Sequence, residues 1–280
     1  LNQGISFQSV YFHYPSSDPE DPVKPWLISD VHLRIPPGAY IGLMGGNGSG
    51  KTTLLHLMNG LLRPSMGRVI VDGFDTQETR HLKEITRKVG IVFQNPDQQI
   101  VGSTVREEIL FGMENLGFER SRMRRNLERV LVQTELSDYE SRHPVFLSGG
   151  QKQRLAIAAI LAMEPDYLLL DEPYSMLDPQ GASDIRSMLD ALRKALHCAV
   201  ILSSHEPEDL MFCDRILWMD RGTVSLDMPP VEAFRALAQS GSYDLGPYIR
   251  VSLEAMKENP AICGFMEPKE LAKVLTEKDH

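Results

Sequence analysis

The segment Gly45-Gly46-Asn47-Gly48-Ser49-Gly50-Lys51-Thr52 sets four glycines ahead of a lysine and a threonine hydroxyl. The spacing G-x-x-x-x-G-K-[ST] suits phosphate binding. Glycines let successive backbone N–H groups converge on phosphate oxygens, and a helix N-terminus behind them adds partial positive charge. Lys51 is expected to reach the β- and γ-phosphates and the Thr52 hydroxyl to ligate Mg²⁺, with Thr53 also on the nucleotide side. A glycine-rich turn with a chance lysine is the competing reading. The complete motif, set between a short apolar strand and a helix, argues against it.

Two further groups carry chemistry. The apolar run Tyr167 to Leu170 is closed by Asp171-Glu172. An acid at the end of a buried strand can hold the hydration shell of Mg²⁺. Ser148, in Leu147-Ser148-Gly149-Gly150-Gln151, lies 23 residues before Asp171. A serine hydroxyl and glycine N–H groups at the start of a helix form a second anion site, or, more simply, an N-cap followed by a pliable Gly-Gly.

The elements that must position these groups can be read from the pattern. Ile5 to Tyr14 alternates apolar and polar residues and predicts a strand, followed by a loop holding Pro15, Pro19, Pro22 and Pro25. Strands are expected at Leu27 to Ile35, Tyr40 to Met44, Arg68 to Val71, Val89 to Phe93, Tyr167 to Leu170, Ala199 to Ser203, Arg215 to Met219 and Thr223 to Leu226. Helices are expected from the phosphate loop to about Asn59, over Thr79 to Arg87, over Gly149 to Met163 and over Pro179 to Leu196. Helical periodicity without strands runs from Ser103 to about Tyr139, so a helical insertion of about 103–163 interrupts an α/β framework. Alternating strands and helices imply a mostly parallel sheet covered by helices. The expected division is a main domain at 1–239 and a small helical C-terminal appendage at 240–280.

Composition narrows the partners. The 280 residues carry 29 Lys+Arg against 38 Asp+Glu, a net charge of −9, which argues against a general nucleic-acid or anionic-membrane binder. Hydrophobic residues make up 42%, enough for a real core, yet the longest apolar stretch, Leu155 to Met163, is far short of a bilayer span. Cys198, Cys213 and Cys263 have no C-x-x-C spacing, so neither a disulfide scaffold nor a cysteine zinc site is expected. Leu1 in place of Met suggests a trimmed initiator, and the opening residues lead us to expect no secretory signal. Arg120, Arg122, Arg124, Arg125 and Arg129 form a basic cluster. It reads either as an RNA, DNA or lipid-headgroup contact or, with no interleaved aromatics, as a solvated helix face.

Taken in order, these motifs resemble the ATP-binding cassette (ABC) ATPases. Leu147-Ser148-Gly149-Gly150-Gln151 is similar to the signature motif of that family, over a resemblance covering roughly Ile5 to Ala238. The resemblance implies a P-loop α/β core with an antiparallel β subdomain, and a head-to-tail dimer in which each Ser148 serves the ATP held by the opposite subunit. It implies ATP and Mg²⁺ as ligands, held by Gly45, Asn47, Gly48, Ser49, Gly50, Lys51, Thr52 and Thr53, with Tyr14 stacking on adenine, although Tyr11 and Phe12 are also close by. Ser148, Gly149, Gly150 and Gln151 complete the nucleotide site. Glu172 corresponds to the catalytic carboxylate, His205 to the switch histidine, and Gln94 to the glutamine that contacts Mg²⁺ and the attacking water. Thr52, Gln94 and Asp171 form the implied metal set. Ser175-Met176-Leu177-Asp178 resembles the D-loop, which crosses the dimer interface.

The stretch Phe93-Gln94-Asn95-Pro96-Asp97-Gln98-Gln99, with Val101-Gly102-Ser103-Thr104-Val105 and Phe111-Gly112, resembles the ATPases of energy-coupling factor (ECF) transporters, including the cobalt-type importers. That likeness implies an enzyme that energises vitamin or transition-metal import from the cytoplasmic face of the membrane. Its partners would be a second ATPase subunit, identical or paralogous, a transmembrane coupling protein and a membrane substrate-binding component, with no nucleic acid. In this group Asp97 would meet an arginine on a coupling helix; otherwise it caps a local turn or the helix beginning near Ser103. The alternatives are an ATPase driving another ABC transporter, such as an exporter, or a soluble ABC ATPase. The absence of sustained heptads between Gln94 and Ser148 counts against the soluble repair type.

Overall fold

The computed structural model describes residues 3–15, 26–195, 198–259 and 262–276. The expected proline loop at Pro19, Pro22 and Pro25 lies outside the described residues. Two sheets form the framework. The smaller is antiparallel, in the order β2 (Ile28–Ile35), β1 (Ile5–Phe12), β4 (Met66–Val71) and β5 (Phe74–Asp75). The two-residue β5 is too short to leave a pattern in the sequence.

The larger sheet has the order β10 (Thr223–Met228), β9 (Arg215–Asp220), β3 (Tyr40–Gly45), β8 (Ala199–Ser203), β7 (Tyr167–Asp171) and β6 (Val89–Val92). All its pairings are parallel except the β9–β10 hairpin. The strands β6, β7 and β8 are buried along their whole length, as parallel strands covered on both faces must be. Side chains alternate across the sheet. Met44, Leu168, Leu170, Leu202 and Trp218 enter one core, while Leu43, Tyr167, Leu169, Ile201 and Leu217 enter the other.

Helix α1 (Lys51–Met58) and the antiparallel sheet share the second core, with α2 (Leu82–Lys88) contributing Ile85. On the first core lie α3 (Val105–Asn115), α4 (Arg120–Gln133) and α5 (Gly149–Ala162), with α6 (Pro179–Ala195) alongside. The helix expected from Thr79 starts as a 3₁₀ turn, Thr79–His81, and the His81 ring at its end accepts from the Asp75 amide at 3.1 Å. Thr104 caps α3 by accepting from the Glu107 amide at 3.1 Å. The Glu108 carboxylate ties the preceding segment by accepting from Val101 and Gly102 at 2.8 and 2.7 Å.

Three C-terminal helices, α7 (Pro230–Ser240), α8 (Gly246–Glu258) and α9 (Pro268–Thr276), pack on the same core through Phe234, Leu245, Ile249, Leu253 and Leu271. The basic cluster lies on α4. There Arg122 and Arg129 meet Glu164, and Arg124 meets Glu128, so the solvated-face reading accounts for these three. Among the described residues, no helix is long and apolar enough to cross a membrane.

Candidate active site

The parallel register sets the site. Leu43 and Asp171 both pair with Ser203, and Val92 pairs with Leu170, so β3, β8, β7 and β6 end side by side. Ligands of open α/β sheets lie at such carboxyl ends. At the end of β3 the chain turns through Gly48 and Gly50, whose φ angles of 75° and 104° disfavour any side chain. A Cβ on Gly50 would stand 2.8 Å from the Ile28 side chain. Gly50 provides no side-chain cap for α1, so the first-turn N–H groups face a cleft of about 400 Å³. Residues 47–53 line it together with Leu27, Gln94 and Glu172.

The buried Ser49 hydroxyl packs against Gly45 and has no hydrogen-bond partner in the protein. Lys51 Nζ donates to the Gly45 and Gly46 carbonyls at 2.9 and 3.4 Å and lies 3.4 Å from Glu172 Oε1. Behind the loop, burial lowers the His56 pKa against the opposing influence of Asp171.

Asp171 is buried and accepts from the Ser203 hydroxyl at 2.7 Å. The same hydroxyl accepts from the Glu172 amide at 2.9 Å. Glu172 has a left-handed backbone, φ 45°, a strained state for a side-chain-bearing residue that is held by this bond. Its Oε2 accepts from Gln94 Nε2 at 3.3 Å and lies 3.5 Å from His205 Nδ1. Gln94 Nε2 also reaches Ser175 Oγ at 3.2 Å. Thus Lys51, Gln94 and His205 converge on one carboxylate. The Tyr14 hydroxyl lies 3.5 Å from Thr53 Oγ1 with its ring half exposed, whereas Phe12 is buried and Tyr11 packs on Trp26. Of the three aromatics, Tyr14 borders the loop.

Ser148 is elsewhere. It caps α5 in a reciprocal box, accepting from the Gln151 amide at 3.3 Å while Gln151 Oε1 accepts from the Ser148 amide at 2.9 Å. With Gly149, Gly150, Gln151, Leu177 and Asp178 it lines a separate cleft of about 530 Å³ that shares no residue with the phosphate-loop cleft. Asp97 caps neither its own turn nor α3. Asn95 closes the turn by accepting from the Asp97 amide at 3.0 Å, while the Asp97 carboxylate pairs with Lys152 of α5 at 2.6 Å. Ser203 escaped the sequence reading because its role depends on strand register.

The donors near the loop fit Mg²⁺. A threonine hydroxyl, an amide and a carboxylate are hard ligands, and this ion is held by few protein groups plus waters and substrate phosphates. Among the described residues, no cluster of three or more His, Cys, Asp and Glu could hold a metal by itself.

This fold and site define a P-loop ATPase, and the ABC transporter family profile matches residues 28–175. The chain belongs to the ABC transporter ATPase family and is an ATP-binding, ATP-hydrolysing cassette. It is 42% identical over 231 residues to the energy-coupling factor transporter ATP-binding protein EcfA1 of Caldanaerobacter subterraneus subsp. tengcongensis, covering 82% of each chain. It is 37% identical over 243 residues to the EcfA protein of Syntrophomonas wolfei, covering 87% of each. Among solved structures it resembles cbiO1 of Clostridium perfringens, part of the ABC transporter complex cbiONQ, with 30% identity and a TM-score of 0.74 over 92% of this chain and 96% of that one.

Proposed function

We propose that this chain is the Mg²⁺-dependent ATPase subunit of an ECF-type importer for a vitamin or a transition metal. The convergence of Lys51, Gln94 and His205 on Glu172 carries the reading at the site. The names of the relatives support the transporter class. Residues 45–53 cradle the ATP phosphates, Tyr14 stacks on the base, and Thr52, Gln94 and Asp171 would hold Mg²⁺. The ion, when bound, neutralises charge on the phosphate oxygens. Glu172 orients the attacking water and draws its proton, while Gln94 and His205 sense the γ-phosphate.

Two subunits close head to tail over two ATP molecules, so that Ser148 and Gly149, Gly150 and Gln151 of one meet the γ-phosphate held by the other. The separateness of the two clefts within one chain supports this arrangement. Hydrolysis removes charge that held the closed dimer, and opening drives the membrane partner. The partners are a second ATPase subunit, identical or paralogous, a transmembrane coupling protein and a membrane substrate-binding component. The chain works peripherally on the cytoplasmic face, without nucleic acid, and residues 240–280 form an appendage to the cassette. Affinity purification of the tagged full chain from membranes tests the reading. We expect a small coupling protein and a substrate-binding membrane protein to co-purify. Recovery of an exporter, or a chain confined to the soluble fraction, would overturn it.

A further inference from the structure

His205 sits in a loop fixed on both sides. The Ser204 hydroxyl donates to Asp209 Oδ2 at 2.6 Å and accepts from the Glu206 amide at 3.0 Å. Asp209 is held by Arg186 of α6, whose Nε lies 3.1 Å from Oδ1. A further constraint comes from the C-terminal helices. Tyr243, in the turn between α7 and α8, packs its ring edge-on against Trp218 of β9 at 5.0 Å. Its hydroxyl donates to the backbone carbonyl of His205 at 2.5 Å.

The turn that presents Tyr243 is itself firm. Leu245 is buried in the core, and Asp244 accepts from the Gly246 amide at 3.1 Å and from Arg250 at 2.9 Å. The His205 imidazole has no comparable anchor; it is 44% exposed and stands 3.5 Å from both Glu172 and Glu206. Its aim therefore depends on its backbone: holding the carbonyl holds the peptide plane that follows His205 and restrains the Cα–Cβ direction from which the imidazole reaches Glu172.

We propose that Tyr243 is a positioning residue for His205, through which the C-terminal helices hold the switch loop in the geometry that places the imidazole beside Glu172. The inference rests on the reading of His205 as the γ-phosphate sensor and adds a role for helices outside the nucleotide motifs. Burial, reinforced by the nearby Glu206, Glu172 and Asp244 charges, raises the Tyr243 pKa, so the hydroxyl remains a donor at neutral pH.

The test uses the full chain in its assembled complex and compares Tyr243→Phe, His205→Ala and the double variant. Phenylalanine keeps the packing on Trp218 and removes only the donor. One lost hydrogen bond is expected to lower kcat about three- to tenfold, with KM for ATP and binding of a non-hydrolysable analogue unchanged. Single-turnover hydrolysis, which reads slow rates, should show the double variant no slower than His205→Ala alone. A wild-type kcat for Tyr243→Phe beside an impaired His205→Ala would overturn the proposal alone. So would a full additional rate loss on the His205→Ala background, or weakened analogue binding in Tyr243→Phe, either of which marks a general structural role. Wild-type turnover by His205→Ala would overturn the sensor reading and this proposal together.

Discussion

Lys51 Nζ and Glu172 Oε1 face each other across the phosphate-loop cleft at 3.4 Å, with both side chains largely shielded from water. The lysine suits a phosphate and the carboxylate suits a water, so one short span holds both halves of a hydrolytic site. The two should fail differently when removed. Glu172→Gln preserves shape and the hydrogen bond from its backbone N–H to the Ser203 hydroxyl but provides a far poorer base. We expect it to retain ATP binding and lose on the order of 10² or more in kcat. Lys51→Ala should instead lose ATP affinity. Steady-state hydrolysis beside analogue binding distinguishes the two, and near-wild-type turnover by Glu172→Gln would refute the assignment.

The separation of Ser148 from Lys51 makes a mixing experiment informative. Lys51→Ala and Ser148→Arg, each nearly inactive alone, should regain part of their ATPase activity when combined, provided the dimer is homomeric. One composite site would then contain both native halves. The check is hydrolysis by isolated heterodimers carrying two different tags, with nucleotide binding measured in parallel.

At Asp97 the carboxylate is 63% exposed while Lys152 holds one of its oxygens. An incoming arginine could share that carboxylate through a charge-assisted pair. Asp97→Arg should abolish pull-down of the membrane partner and leave analogue binding intact, since two cations would then face the docking residue. Asp97→Asn should change stability by less than about 1 kcal/mol, because a pair whose carboxylate is this exposed contributes little. Normal partner capture and uptake by the charge-reversed variant would remove Asp97 from the interface.

Acid sensitivity should trace in part to Asp72. Burial works to raise its pKa, but hydrogen bonds from the Gly4 amide, Lys88 and the Tyr167 hydroxyl outweigh that and hold it below the ordinary value of 3.8. A depressed carboxyl stabilises the fold above its unfolded pKa and loses that contribution as pH falls through the folded value. Asp72→Asn should therefore lower stability at neutral pH by roughly 1–3 kcal/mol, seen as a lower Tm, and flatten the decline below about pH 4. Thermal melts across pH 2.5–7 (the range in which ~4 is the ordinary carboxyl midpoint) would show whether the two curves converge in acid.

Local chemistry was written plainly in the chain. The glycine pattern before Lys51, the acids closing an apolar run at Asp171-Glu172, and Ser148 ahead of a helix each depend on a few consecutive residues whose backbone states are set by their types. The strand runs were legible for the same reason, since continuous apolar residues bounded by turns mark strands buried on both faces. Their order and register were not legible, because uniformly apolar strands joined by long crossovers carry little local mark of which residue pairs with which. Tertiary structure alone put Ser203 opposite Asp171, brought Gln94 to Glu172 across 78 residues, and turned Asp97 onto Lys152 across 55. It also brought Tyr243 to His205, because the C-terminal helices pack on the first core, and kept Ser148 in a cleft apart from Lys51, because α5 packs on that core and α1 on the other.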